Sequence, residues 1–435
     1  MTKILIIYPP FCTPTSPPYS IFNLPAFIKA NSDLSTKILD FNLFLHKKFI
    51  QNPFSDLSDY NKKAKNFFKK SGKLYKKINK NLRNKNRNLP LINEMIGKIK
   101  EYNPEFLVFT CIYNQQMIYA SKIAEHFKKK TILGGPAATK KHNKSFDLVT
   151  NDLSEMLKFM GEKQTDNELR IEYDIIDINE YYSPKPILPV QSSIGCIYQK
   201  CAFCNFHGFK KYTEFPVKEL LPLLKQNKYF EFIDDIVPIK RLAGFNKHLK
   251  DLCIRYMCYS RIEKNPTLEN FKKIHESGCR VILWGVESGS DKILKLMNKG
   301  ITTKNIKDTL EKSSHAGIKN IVYIIIGFPG ETEKTLAQTI TFLKQNKKNI
   351  HLVAPNIFSM QPESEVFQNP KKYRIQKIIP VKRSYLPKKY NYISRGLSHQ
   401  DFVKLKEKYK KRFNSINSYA YMYSIYKDHF LLKVA

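Results

Sequence analysis

Three cysteines fall close together in Gly195-Cys196-Ile197-Tyr198-Gln199-Lys200-Cys201-Ala202-Phe203-Cys204, a C-x4-C-x2-C run that follows the strand-like stretch Ile187 to Gln191. Thiols at this spacing let one loop curl around a single inorganic centre. Thiolates suit zinc or an iron-sulfur cluster, and the ligand count separates the two. A closed zinc site wants four ligands, which His207 would complete as C-x2-C-x2-H, although no paired knuckle follows elsewhere. Three cysteines alone leave one iron of a four-iron cluster open for a substrate or cofactor to chelate. Unligated core cysteines are the third reading, and spacing leaves all three standing. The other five, Cys12, Cys111, Cys253, Cys258 and Cys279, stand among apolar or strand-like residues and are expected to be small buried hydrophobes.

The elements that must position this loop read as alternating strands and helices. Lys3 to Tyr8 is an apolar strand, Ile21 to Ala30 a helix and Thr36 to Phe41 extended. Further on, Glu105 to Thr110 is a buried strand, Gln116 to Lys128 a helix, Thr131 to Leu133 a short strand before Gly134-Gly135-Pro136, and Phe146 to Val149 another. This pattern predicts a doubly wound, Rossmann-like α/β domain over residues 1–160, with a basic helical insertion at about 43–100. Lys62 to Arg87 carries twelve Lys or Arg and no Asp or Glu, interleaved with Phe67, Phe68, Tyr75, Ile78 and Leu82. That spacing suits an amphipathic helix with one basic face, either packed on the domain as a solvated insertion or docking an acidic partner.

Residues 161–187, with prolines at Pro184 and Pro186, read as a linker. A second domain, 188–362, then alternates again. Strands are expected at Phe230 to Val237, Ile254 to Tyr259, Val281 to Val286, Asn320 to Gly327 and His351 to Phe358. Helices are expected around Phe245 to Cys253, Thr267 to Ser277, Asp291 to Met297, Thr303 to Ala316 and Glu333 to Gln345. Five or more βα units without an internal repeat point to a parallel barrel or part of one, with its chemistry at the strands' C-terminal ends. Residues 363–435 are Pro- and Lys-rich chain followed by a helix around His399 to Phe413, a small, mostly helical third element.

Composition narrows the class. At 435 residues with 42% hydrophobic and 26% charged, the chain is no disulfide miniprotein, and no apolar run approaches the length of a bilayer span. Its start has one Lys and only a short apolar run before Pro9-Pro10, unlike a signal peptide, so a cytoplasmic location is expected. The net charge of +36 would attract nucleic acid, anionic lipid or acidic proteins, and equally reflects a Lys-, Asn- and Ile-rich codon bias.

The cysteine loop, with Phe203 before the third cysteine, is joined by Trp284-Gly285-Val286-Glu287-Ser288-Gly289-Ser290, Met297-Asn298-Lys299-Gly300 and Tyr323-Ile324-Ile325-Ile326-Gly327-Phe328-Pro329-Gly330-Glu331-Thr332. Upstream, Phe109-Thr110-Cys111-Ile112-Tyr113-Asn114 precedes the Leu133-Gly134-Gly135-Pro136 turn. In these motifs the chain resembles radical S-adenosylmethionine (SAM) enzymes of the cobalamin-binding subgroup, over nearly its whole length. The resemblance implies a cobalamin-binding type first domain and a partial (β/α)6 barrel. It implies that Cys196, Cys201 and Cys204 hold a [4Fe-4S] cluster whose open iron chelates SAM, and that reductive cleavage yields a 5′-deoxyadenosyl radical. By similarity Phe203 would pack near the adenine, Glu287 accept from the ribose hydroxyls, Asp234 meet the SAM amino group, and Ser260 and Arg261 its carboxylate. Gly327 would form a wall for the adenine.

Thr110, Tyr113, Gly134 and Gly135 would line a crevice for the corrinoid. The motif Asp-x-His-x-x-Gly is absent, since His275 to Gly278 has Lys273 in place of the Asp, which implies a corrinoid held without histidine. The chain departs from the family in Ser193-Ile194-Gly195-Cys196, where Ser-Arg-Gly-Cys is common. It also has Thr150-Asn151-Asp152-Leu153 where Gly-Glu-Gly-Glu is usual. The implied activity is cobalamin-dependent methyl transfer to a carbon of a small molecule or peptide, with an acidic electron donor such as flavodoxin or ferredoxin. A radical SAM cyclase, oxidase or epimerase without corrinoid is the alternative, and a nucleic-acid-binding protein with a structural zinc site is a remote one.

Overall fold

Two core layers sandwich the first sheet of the computed structural model, which describes residues 2–83, 89–127, 130–139, 144–165, 170–205, 211–381, 389–394 and 397–435. The chain divides into a unit formed by Met1–Leu188 and a second beginning at Pro189. In the first, β1 (Lys3–Tyr8), β2 (Ser35–Asp40), β3 (Phe106–Thr110), β4 (Lys130–Gly134) and β5 (Leu148–Val149) pair in parallel in the order β2-β1-β3-β4-β5. Alternate side chains go to opposite faces. Ile4, Ile6, Phe106, Val108 and Ile132 pack with Ile28 and Met156 on one face. On the other, Leu5, Ile7, Leu107, Phe109 and Leu133 pack with Met95, Ile99 and Ile123. Helices on both faces explain why β3 is buried at every position. The strand order reverses between β1 and β3, which opens a crevice at their C-terminal ends.

The basic insertion forms a helix, Tyr60–Arg83, that buries Ala64, Phe67, Ser71 and Ile78. Phe68, expected with them, is 54% exposed, because one residue turns a helix by about 100°. The expected end of this helix at 84–87 lies outside the described residues. The segment expected as a linker is packed on the first unit through its tyrosines. Tyr173 meets Phe22 edge-on, Tyr181 Oη donates to Asp40 Oδ2 at 2.5 Å, and Tyr182 Oη donates to the Ile50 carbonyl at 2.5 Å.

After β6 (Leu188–Val190), which begins at the boundary, the second unit contains β7 (Ser193–Ile194), β8 (Thr213–Glu214), β9 (Tyr229–Phe232), β10 (Arg255–Arg261), β11 (Cys279–Glu287), β12 (Lys319–Ile326) and β13 (Leu352–Ile357). Six of them form one sheet in the order β13-β12-β11-β10-β9-β6, parallel from β9 to β13, and β7 pairs antiparallel with β8. The crossover helices Leu268–Glu276, Thr303–His315 and Glu333–Gln345 each start behind a threonine, Thr267, Thr302 or Thr332, in a capping box. Strand β9 stops at Phe232, short of the expected Val237, and Cys253 is exposed rather than buried, in a left-handed cap before β10. The C-terminal region has the helix His399–Asn414, begun by Ser398, and a ribbon that sequence did not suggest, β14 (Ile375–Val381) antiparallel to β15 (Lys389–Ser394). Among the described residues no helix is long and apolar enough to cross a membrane.

Asn320 ties four segments together without reaching solvent. Its Oδ1 accepts from Trp284 Nε1 and Ser313 Oγ, both at 2.8 Å, and its Nδ2 donates to the carbonyls of Leu310 and Asn349 at 3.0 and 2.8 Å. Asn320→Ala would strand these buried partners, and we expect a loss of about 2–4 kcal/mol. Urea unfolding followed by the fluorescence of Trp284, the single tryptophan, measures it.

Candidate functional site

The cysteine loop, between β7 and β8, has no helix or strand of its own from Gly195 to Cys204, so its shape depends on ties to other segments. At its entry, the Gly195 N–H donates to Asp235 Oδ2 at 3.0 Å. At its centre, the Ala202 N–H donates to the Met297 carbonyl at 2.8 Å, and the Ala202 carbonyl accepts from the Val366 N–H at 3.1 Å. Tyr198 Oη donates to the Asn298 carbonyl at 2.8 Å. Gly300 has φ of +72°, and a Cβ there would lie 2.3 Å from Tyr198 Oη, so glycine serves both backbone and packing. The turn Met297 to Gly300 is thus the platform on which the loop rests.

All three thiols are half-buried and none is in a disulfide. Burial pushes the Cys201 thiol up to about 11, against the pull of the Lys299 and Arg261 charges. Among the described residues no three Cys, His, Asp or Glu side chains are gathered as a site for one metal ion. His207, the expected fourth zinc ligand, lies outside the described residues.

Two cations stand by the loop. The Arg261 guanidinium stacks 3.7 Å from the centre of the Tyr198 ring and donates to the Lys299 carbonyl at 2.9 Å. Lys299 Nζ lies 5.7 Å from the centre of the Phe203 ring and pairs with Glu287 Oε1 at 3.0 Å. Burial disfavours the Lys299 ammonium, but Glu287 and Cys201 outweigh it and raise its pKa. A bulge positions Glu287. Gly285 pairs with Tyr323 and Glu287 with Ile324, which leaves Val286 extra, and Glu287 takes φ of +66°. A Cβ at Gly285 would come within 2.7 Å of Glu287 Oε1 and 3.0 Å of Lys299 Nζ, so the ion pair occupies the space that glycine leaves.

Cys201, Cys204, Phe203, Arg261 and Glu287 are therefore drawn together, through Lys299 and Tyr198. Other expected site residues are engaged elsewhere. Asp234 Oδ1 accepts from Ser192 Oγ at 2.9 Å and Ser193 Oγ at 2.6 Å, and its carboxylate also takes the Ser192 N–H. It fastens the entry to the loop. Ser260 Oγ donates to the Val237 carbonyl at 2.7 Å. Above Gly327, with φ of +86°, lies the Phe402 ring, 2.8 Å from where a Cβ would stand. In the first unit, Thr110 is buried and Tyr113 is 48% exposed at the C-terminal end of β3. The close approaches of the two glycines are to their own chain. A Cβ on Gly134 would sit 3.1 Å from the Thr150 carbonyl oxygen, and one on Gly135 2.5 Å from that of Cys111.

Lys299 and Tyr198 were given no role as site residues. Lys299-Gly300 reads as an ordinary helix end, a basic residue before a glycine cap. Only the contact with Tyr198, 102 positions before Gly300, reveals its second use.

The Radical SAM superfamily profile matches residues 190–343. Those residues are a radical SAM domain. The chain is 29% identical over 187 residues to an uncharacterized methyltransferase of Pyrococcus horikoshii, covering 40% of each. It is 44% identical over 182 residues to the ribosomal protein uS12 methylthiotransferase RimO of Thermosipho melanesiensis, covering 36% of this chain and 41% of that one. The chain thus spans about two fifths of the length of these curated relatives. The solved structure of OxsB, a cobalamin-dependent SAM radical enzyme with aqua-cobalamin and SAM bound, superposes with TM-score 0.67 at 14% identity, over 100% of this chain and 72% of that one. The methyltransferase TsrM of Kitasatospora setae, with cobalamin and a [4Fe-4S] cluster bound, gives 0.56 at 12% identity, over 84% and 77%. The α/β architecture, with its parallel sheets, is that of these two proteins. The superfamily implies SAM and a four-iron cluster as cofactors of the radical SAM domain.

Glu331, in the radical SAM domain, is buried and accepts the Gly327 N–H at 2.5 Å. Burial pushes its carboxyl up from 4.5 to about 8, opposed by that hydrogen bond. A raised carboxyl takes up a proton on folding, so its contribution to stability is full below pH 4.5 and is lost as pH rises through 8. Glu331→Gln, which keeps a neutral group there, should flatten the fall in stability across this window, read as melting temperatures at pH 5, 7 and 9.

Proposed function

We propose that the chain is a radical SAM enzyme that activates a substrate carbon for cobalamin-dependent methyl transfer. The observation that carries the reading is the tethered loop of three half-buried thiols, with Arg261 and Lys299 beside it, inside the matched domain. The donor set fits the implied group: three soft thiolates on one loop suit three irons of a cluster. Cys196, Cys201 and Cys204 would hold it. Bound there, the cluster would supply the electron for reductive cleavage of SAM.

The chain's own residues supply binding, orientation and exclusion of water. Arg261 and Lys299 place positive charge where Cys201 must be a thiolate, which favours the ionised form. Arg261, with its planar fork, also suits a carboxylate such as that of SAM. The Tyr198 ring stacks on the Arg261 guanidinium, and the Phe203 ring lies beside Lys299. In the first unit, the crevice beside Thr110 and Tyr113 is where open α/β sheets bind ligands, and we assign it to the corrinoid. A radical SAM enzyme without corrinoid is the second reading. It is favoured by Gly134 and Gly135, whose small size is already explained by contacts with Thr150 and Cys111.

Cys201→Ala should lose the bound iron and sulfide together and lower 5′-deoxyadenosine formation by about 100-fold or more, with far-ultraviolet circular dichroism unchanged. Wild-type rates in that variant would overturn the assignment of the loop. Reconstitution with hydroxocobalamin separates the two readings. Corrinoid retained through gel filtration, and methyl label passing from SAM to a substrate carbon, support methyl transfer.

A further inference from the structure

The helix Tyr60–Arg83 has ten Lys or Arg among its 24 residues, against 74 among the 435 of the chain, and no Asp or Glu. Its basic density is more than twice that of the whole chain, so a general bias toward lysine does not account for it. Lys62, Lys65, Lys69, Lys73 and Lys76 recur every three or four residues, with Lys70 and Lys77 beside them, and all seven are exposed. Lys63 pairs with Asp56 at 2.8 Å, but the seven make no side-chain hydrogen bond or ion pair among the described residues.

At about 100° per residue the seven fall within roughly 140° of the helix circumference, opposite the buried line of Ala64, Phe67, Ser71 and Ile78. From Lys62 to Lys77 the helix rises about 22 Å, which gives one uncompensated positive charge about every 3 Å. One strand of a nucleic acid duplex carries a phosphate about every 3.4 Å. Phe68 stands at the margin of this face, 54% exposed, with Lys65 one turn before it and Gly72 one turn after. A Cβ on Gly72 would meet nothing within 4 Å, so that side of the ring is open.

We propose that this face docks an unpaired stretch of RNA, with the lysines along the phosphates and Phe68 stacked on a base. Unpaired bases are what RNA loops and ends offer, and stacking on an aromatic ring is how they are held. An anionic membrane is the poorer fit. A helix lying in the lipid interface needs its apolar face for the acyl chains, and here Ile78, Leu74 and Tyr75 are spent on the core of the first unit. A protein partner is also the poorer fit, because lysine is depleted at protein interfaces and Phe68 is the single large hydrophobic exposed on the described part of this helix. Nucleic acid interfaces are by contrast strongly positive. The inference stands apart from the radical SAM reading, since no part of it involves the second unit.

Fluorescence anisotropy of the full chain with labelled oligouridylate, over a series of salt concentrations, tests it. Phe68→Ala should weaken oligouridylate about tenfold and leave duplex RNA of the same length within about twofold, because paired bases offer the ring no face. Lys69→Ala combined with Lys73→Ala should flatten the dependence of log affinity on log salt by about 0.7 for each lysine. Lys304→Ala combined with Lys307→Ala, exposed lysines on the helix Thr303–His315, should leave that dependence unchanged. All five positions are exposed, and circular dichroism checks that each variant folds. Equal flattening by the two lysine pairs would mean that binding follows net charge, and the proposal fails. It fails also if Phe68→Ala holds oligouridylate as the wild type does. Phosphatidylserine vesicles or polyglutamate binding more tightly than oligouridylate, and losing that affinity in the Lys69 and Lys73 variant, would make the face a lipid or acidic-protein dock and overturn it as well.

Discussion

The second unit depends on how a loop with no regular hydrogen bonding is held in one shape. An irregular segment of this length loses backbone entropy on ordering, roughly 1–2 kcal/mol per residue, without a ladder to offset it. Its order comes from the Met297 and Asn298 carbonyls, the Asp235 carboxylate and the stacking of Arg261 on Tyr198. Because these anchors sit on β10, on the segment after β9 and on the turn that ends the helix Asp291–Leu296, the relative placement of these three segments sets the shape of the loop that carries the thiols.

Charge follows the same layout. The cations by Cys201 are not loose surface groups; Lys299 is buried and Arg261 is held by a ring and a carbonyl. A buried ammonium is tolerated only with a close counter-charge, and the bulge at Val286 brings Glu287 back over Gly285 to provide it. Deleting that glycine's freedom of space, or the bulge, would disturb the ion pair before it disturbed the sheet.

Much of this was legible in the sequence because it is written in local patterns. Strand β3, FLVFT, reads as buried from its unbroken apolar run, and the threonine-capped helices of the second unit announce their own starts. The cysteine spacing alone singles out the loop. What was not legible depends on contacts between distant positions. Asp234 reads from the sequence only as a carboxylate near a strand end, and its bonds to Ser192 and Ser193, 42 and 41 positions away, leave no local signal. Gly327 reads as a turn where backbone comes close, and the Phe402 ring that lies against it comes from far along the chain. The β14–β15 ribbon hides because β14, Ile-Gln-Lys-Ile-Ile-Pro-Val, has no regular alternation and carries a proline, and it buries only Ile375 fully. Such features have no period to read.

The helix Lys427–Val434 meets, through Lys427, partners very far away in the chain: Tyr259 is 168 positions distant and Glu231 196. Closing a loop costs only about 0.6 kcal/mol more for each doubling of its length, so this helix and the cysteine-loop anchor between Tyr198 and Asn298, 100 positions apart, are formed against nearly the same entropic handicap.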